Sequence, residues 1–126
     1  MGTLDDLVVY QKAVDLRRKI KPFADSFPTE EKFSLKSQLK RSSRSISANI
    51  AEGYGRYHYQ ENIRFLRISR GSLLETIDHI SVAFDEEYID ELTKLDLISD
   101  CQLLLKIMNG YIAYLKRKKN PPDEAE

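Results

Sequence analysis

Only two histidines, His58 and His79, and one cysteine, Cys101, stand among the 126 residues, and they limit what metal or nucleophile chemistry the chain can do. A carboxylate-bridged di-iron centre built between helices needs a Glu-x-x-His pair on each of two helices, plus further glutamates. The nearest approach is Glu75 and His79, a step of four rather than three, with no second copy. No metal and no cofactor are expected. Cys101 shares a helical spacing with Leu97, Leu104 and Met108 and reads as a small buried hydrophobe. With one cysteine no internal disulfide forms. No phosphate-cradling glycine loop or nucleophile elbow occurs. The chain is read as non-enzymatic.

The cations carry more information. Net charge is zero, but residues 36–70 hold eight Lys or Arg against two Glu, and residues 71–100 nine Asp or Glu against one Lys. Local fields govern partners more than the total does. Lys36, Lys40 and Arg44 follow at steps of four and share one face of a helix, with Arg41 further round. Arg56 sits in the next connection, and Arg64 and Arg67 flank the apolar stripe of the helix after it. Tyr54, Tyr57, His58 and Tyr59 surround that connection. Cations interleaved with aromatics hold phosphates and stack on unpaired bases, so RNA or other nucleic acid is the partner this pattern favours. Two other readings stay open: a solvated face that keeps the protein soluble, and pairing with the acidic segment of a neighbouring subunit. A protein partner is the alternative to nucleic acid.

These residues need helices to place them. Glycine and proline cluster at Pro28, at Gly53 and Gly55, and at Pro121-Pro122, and between those breaks the apolar period is helical. A first helix is expected over about 5–25, with Pro22 kinking or ending it. A second runs over about 30–52, capped by Thr29 and closed by Gly53. A third covers about 58–88, and a fourth about 91–118, ending in Lys116-Arg117-Lys118-Lys119, where cations suit the helix dipole. The expected fold is all-α, an antiparallel up-down-up-down four-helix bundle over residues 1–119. Residues 120–126 form a disordered tail. No apolar run approaches the roughly 20 residues that span a bilayer. The N-terminal segment lacks signal-peptide order, and a cytoplasmic location is expected.

The third helix is apolar on two sides. Ile63, Leu66, Leu73, Ile77, Ile80 and Phe84 fall in one sector of its wheel, and Phe65, Ile68, Ser72, His79 and Ala83 in another. A lone bundle buries one stripe per helix, so the second is read as a homo-oligomer interface. Arg70 falls within the core sector and needs a partner, for which Glu52 is nominated as a structural ion pair; Arg56 is the other candidate partner for Glu52. Ser42 and Ser43 border the second helix's stripe, where small residues admit a close neighbour, and Asn49 and Gln38 stand on its flank.

The stretch Gln38-Leu-Lys-Arg-Ser-Ser-Arg-Ser-Ile-Ser-Ala-Asn-Ile-Ala-Glu-Gly-Tyr-Gly-Arg56, followed by Phe65-Leu66 and Gly71-Ser72-Leu73 with Glu75, resembles the bacterial four-helix proteins encoded within intervening sequences of 23S ribosomal RNA genes. That family is in turn similar to the accessory variability protein of diversity-generating retroelements. The resemblance spans about residues 5–118 and departs at Ser47, where many relatives carry proline. It implies a four-helix protomer, often assembled as a pentameric ring, with no catalytic activity. The retroelement relatives imply nucleic acid and a reverse transcriptase as partners.

Overall fold

Helical spacing of the apolar residues resolves into four long helices in the computed structural model, which describes residues 2–120. After a 3-10 turn at Leu4–Asp6 come α1 (Val8–Asp25), a second 3-10 turn at Thr29–Glu31, α2 (Leu35–Tyr54), α3 (Tyr59–Asp85) and α4 (Glu91–Lys119). There is no strand among the described residues. Of the expected tail only Asn120 lies within them.

Side-chain contacts fix the directions. Lys40 meets Asp25 at one end of the α1–α2 pair, and the Tyr54 hydroxyl donates to the Gly2 carbonyl at the other. Asn62 reaches Tyr111, Arg70 reaches Asn109, and Lys94 lies over the Phe84 ring, so α3 and α4 are antiparallel. Lys19 bridges α1 to Asp96 and Asp100 of α4. Each helix thus runs against its two neighbours, up-down-up-down.

The element ends differ from the sequence expectation for local reasons. Leu7 is extended, so the first turn is separate from α1 and is capped by Thr3 and Asp6. Pro22 lies inside α1 without ending it. Thr29 does not cap α2, which begins near residue 35 rather than 30. Glu31 does that work from the preceding turn: its carboxylate accepts from the Ser34 hydroxyl and from the Leu35 amide, the latter at 3.2 Å. The Tyr88 hydroxyl donates to the same carboxylate at 2.7 Å, tying the end of α3 to the start of α2. The hydrogen bond from Ser34, followed by those from Tyr88 and Leu35, holds the Glu31 carboxyl below its usual range. The hydrogen bond to Glu31, and after it burial, pushes the Tyr88 phenol up to about 12. α3 stops at Asp85, three residues early. Glu87 takes a left-handed φ of 64°, and Tyr88 and Glu87 donate back to the Ala83 and Phe84 carbonyls, a Schellman closure without glycine. Asp90 then caps α4 by accepting from the Thr93 amide at 2.8 Å.

Gly53 is not a terminal cap either, because α2 continues to Tyr54. Its purpose is close approach: a Cβ there would stand 2.8 Å from Asn62 Oδ1, 3.0 Å from the Asn62 carbonyl and 3.0 Å from Phe65 Cβ. The small residues of α2 serve the same contact. Ser42 bonds to Thr76 and Ser45 to Ser72, each at 2.8 Å, and the Ser69 hydroxyl donates to the Ile46 carbonyl at 2.7 Å. These buried hydroxyls are therefore satisfied, as buried polar groups must be. The core is built from Ala13, Leu16 and Ile20, from Leu39, Ile46 and Ile50, from Leu66, Leu73 and Ile80, and from Leu97, Leu104 and Met108.

Candidate functional site

Positions 17, 18 and 21 of α1 fall on one helical face, and that face meets positions 40, 43 and 44 of α2. Between them runs a groove of about 340 Å³ lined by Arg17, Arg18, Lys21, Lys40, Ser43 and Arg44. Five of those six side chains are cationic. The short hydroxyl residues Ser43 and Ser47 leave the space, and the Arg17 Nε donates to Ser47 Oγ at 3.2 Å. Ser47, the departure from the resembled pattern, therefore helps aim a guanidinium.

One carboxylate works against this field. Asp25 accepts from Lys21 at 2.8 Å and from Lys40 at 2.5 Å, with Lys36 at 3.8 Å. Lys21 and then Lys40, both hydrogen-bonded to it, hold the Asp25 carboxyl far below the usual carboxylate range. Among the described residues, Arg17, Arg18 and Arg44 form no ion pair. Their charge remains available to an anion.

The nucleic-acid residues nominated from the sequence divide. Lys40 and Arg44 line the groove, and Lys36 joins it through Asp25. Arg41 is exposed but outside the lining, and Arg64 and Arg67 are exposed on α3, which contributes nothing to the groove. Arg56 pairs with Glu52 at 2.7 Å and lies 4.9 Å over the Phe65 ring. Sequence reading missed Arg17, Arg18 and Lys21. Their signal was a cationic i, i+1, i+4 set beside the Leu16 and Ile20 stripe, hidden in a segment whose charges cancel.

Two structural expectations are corrected. Arg70 does not pair with Glu52: its Nη1 donates to Asn109 Oδ1 of α4 at 2.8 Å. Arg70 leans toward α4, whereas Glu52 is exposed on α2 and takes its turn-neighbour Arg56. The second apolar stripe of α3 is largely covered within the protomer, because α2 packs against that side. Ala83 is fully buried in the core, Phe65 is half-buried against Gly53, and Ser72 bonds to Ser45. His79 is half-buried beside Glu75 at 3.0 Å. Of the five nominated interface residues only Ile68, 46% exposed, presents a large apolar surface. The exposed leucines lie instead on α4, where Leu92, Leu95 and Leu103 share an outer sector. Asn49, on the flank of the α2 stripe, bonds to Ser45 of its own helix.

Burial pushes the Cys101 thiol up to about 12, so it stays protonated. No group of three His, Cys, Asp or Glu is placed to hold a metal among the described residues. None of their helices is long and apolar enough to cross a membrane.

The family model of the 23S rRNA-intervening sequence protein matches residues 5–110. The chain belongs to that family. A solved structure similar to this chain is a protein of unknown function from the S23 ribosomal protein family of Bacteroides thetaiotaomicron VPI-5482. It is 25% identical with a TM-score of 0.78, and the match covers 88% of this chain and 99% of that one. No curated protein matches the chain. The match extends across all four helices, so the groove between α1 and α2 lies inside the family's fold rather than in an appendage.

Proposed function

We propose that this chain is a cytoplasmic, non-catalytic binding protein that holds the phosphate backbone of structured RNA, or of another nucleic acid, in the α1–α2 groove. The observation that carries the reading is the convergence of Arg17, Arg18, Lys21, Lys40 and Arg44 on one concavity whose lining holds no carboxylate, with Asp25 at its edge. Arginine forks and lysine ammoniums in such a cleft match phosphate oxygens, and their binding releases counterions from the nucleic acid. The remaining chemistry is that of a rigid scaffold.

A second reading is self-association, and the outer leucines of α4 favour it. Leu92 is 79% exposed and Leu95 56%, more apolar surface than a solitary bundle needs to show. The two readings combine in an oligomer, the pentameric form that the family resemblance implies, with its grooves outward.

The test is charge reversal at exposed positions. Arg18→Glu with Arg44→Glu should abolish gel-shift binding of a stem-loop RNA while circular dichroism stays unchanged. Undiminished binding by that variant would overturn the groove as the site. A protein-only scaffold would instead show no binding by either form.

A further inference from the structure

Five of the seven tyrosines, Tyr54, Tyr57, Tyr59, Tyr111 and Tyr114, gather at the end of the bundle where α2 passes into α3 and α4 finishes. Two are tethered: the Tyr54 hydroxyl donates to the Gly2 carbonyl at 3.2 Å, and the Tyr111 hydroxyl accepts from Asn62 at 3.4 Å. The other three show their rings. Tyr57 is 100% exposed, Tyr59 46% and Tyr114 45%. The rings of Tyr111 and Tyr114 stack, 13° from parallel with centroids 6.2 Å apart. Tyr111 of α4 meets Asn62 in the first turn of α3, so the cluster is spatial and not only sequential.

Charge at this end is mixed. Arg56 and Lys116 to Lys119 belong to the segments that end at this pole, as do Asp5, Asp6, Glu52 and Glu61. Arg56 is already engaged by Glu52, and Lys118 lies 5.6 Å over the Tyr114 ring. A site that gripped phosphates would be more basic. What is concentrated here is aromatic face, and exposed aromatic faces next to cations are what unpaired bases stack on, whatever their sequence. The phosphate-holding groove is close by. From Arg44 to Tyr54 along α2 is roughly 15 Å at the helical rise, over a shallow trough of Ala48, Ala51 and Gly55, with Glu52 and Arg56 beside it.

We propose that this tyrosine-rich pole is a stacking platform for unpaired nucleotides, so that the ligand is an RNA whose stem lies in the α1–α2 groove and whose single-stranded loop or end reaches the pole. The proposal rests on the groove reading and adds the kind of RNA. It makes Tyr57 and Tyr59 binding residues that discriminate unpaired from paired nucleotides.

Fluorescence anisotropy separates the two. The probes are a labelled RNA hairpin and a blunt duplex of the same stem, and the protein is the full chain. Wild type should bind the hairpin more tightly than the duplex. Tyr57→Ala with Tyr59→Ala should weaken the hairpin by about tenfold or more and leave the duplex within about twofold. Tyr57→Phe with Tyr59→Phe should keep the hairpin affinity, since the rings remain. Equal hairpin affinity in the double alanine variant and wild type overturns the platform alone. Equal loss for both probes, with an unchanged melting curve, also overturns it, because the tyrosines would then not distinguish unpaired bases. Failure of wild type to bind either probe overturns the platform and the groove reading together.

Discussion

Replacing Gly53 with alanine tests why α2 and α3 lie so close. In an ordinary helix interior, alanine is more stable than glycine by about 1 kcal/mol, so the default expectation is a gain. At Gly53 the new methyl would meet three atoms at 2.8 to 3.0 Å. Asn62 Oδ1 is on a short side chain and can swing, since it is buried without a hydrogen-bond partner and has none to lose. The Asn62 carbonyl and Phe65 Cβ are fixed to the α3 backbone, so the helices must separate by several tenths of an ångström. Overpacking of this kind costs about 1–3 kcal/mol, which cancels the propensity gain at its low end and exceeds it above that, leaving a net loss of up to about 2 kcal/mol. Gly71 supplies the control: it is exposed on α3 and a Cβ there meets nothing within 4 Å. Gly71→Ala should therefore stabilise by about 0.5–1 kcal/mol. Urea denaturation followed by circular dichroism should move the two midpoints in opposite directions. If Gly53→Ala gained as much as Gly71→Ala, close approach would not be why glycine stands there.

Other outcomes follow from the same contacts. Asp25→Asn should release Lys21 and Lys40 and tighten RNA binding several-fold at constant salt, as read by anisotropy; weaker binding would mean that Asp25 positions the lysines. Because the folded state depresses the Asp25 carboxyl, the contribution of its lysine contacts to stability is complete above its ordinary 3.8 and is lost as pH falls toward the depressed value. In acid unfolding, the stability difference between wild type and Asp25→Asn should begin to shrink below about pH 4 and go on shrinking as pH falls further. Leu92→Glu with Leu103→Glu should yield a folded monomer by light scattering if α4 is the contact between copies. Phe65→Glu should lower the melting temperature instead, since Phe65 is half-buried with its Cβ against Gly53 inside the protomer.

Helix number, order and class were legible because apolar residues at a 3.6 period and a few breakers encode them locally. Helix ends were less so. The cap of α2 is Glu31 acting from a separate turn and braced by Tyr88, which lies 57 residues away in sequence, and no local signature announces that. Gly53 looked like a terminator because glycine often is one; only the tertiary approach of α3 shows its other use. The apolar second face of α3 was visible, but its occupant was not, since periodicity says that a face is covered without saying by which helix. The basic site was half legible. Lys40 and Arg44 stood out in a positive segment, whereas Arg17 and Arg18 belonged to one of zero net charge and joined them only when α1 packed alongside.

The salt dependence of RNA affinity probes the groove most directly. Three unpaired arginines, Arg17, Arg18 and Arg44, and two lysines shared with Asp25 face it, so at least three phosphates should be neutralised. A plot of log affinity against log salt should then fall with a slope of about −3 to −4 for a stem-loop RNA. Arg18→Ala with Arg44→Ala should flatten that slope by about 2. A slope that the double substitution leaves unchanged would place the phosphates elsewhere on the protein and contradict the account.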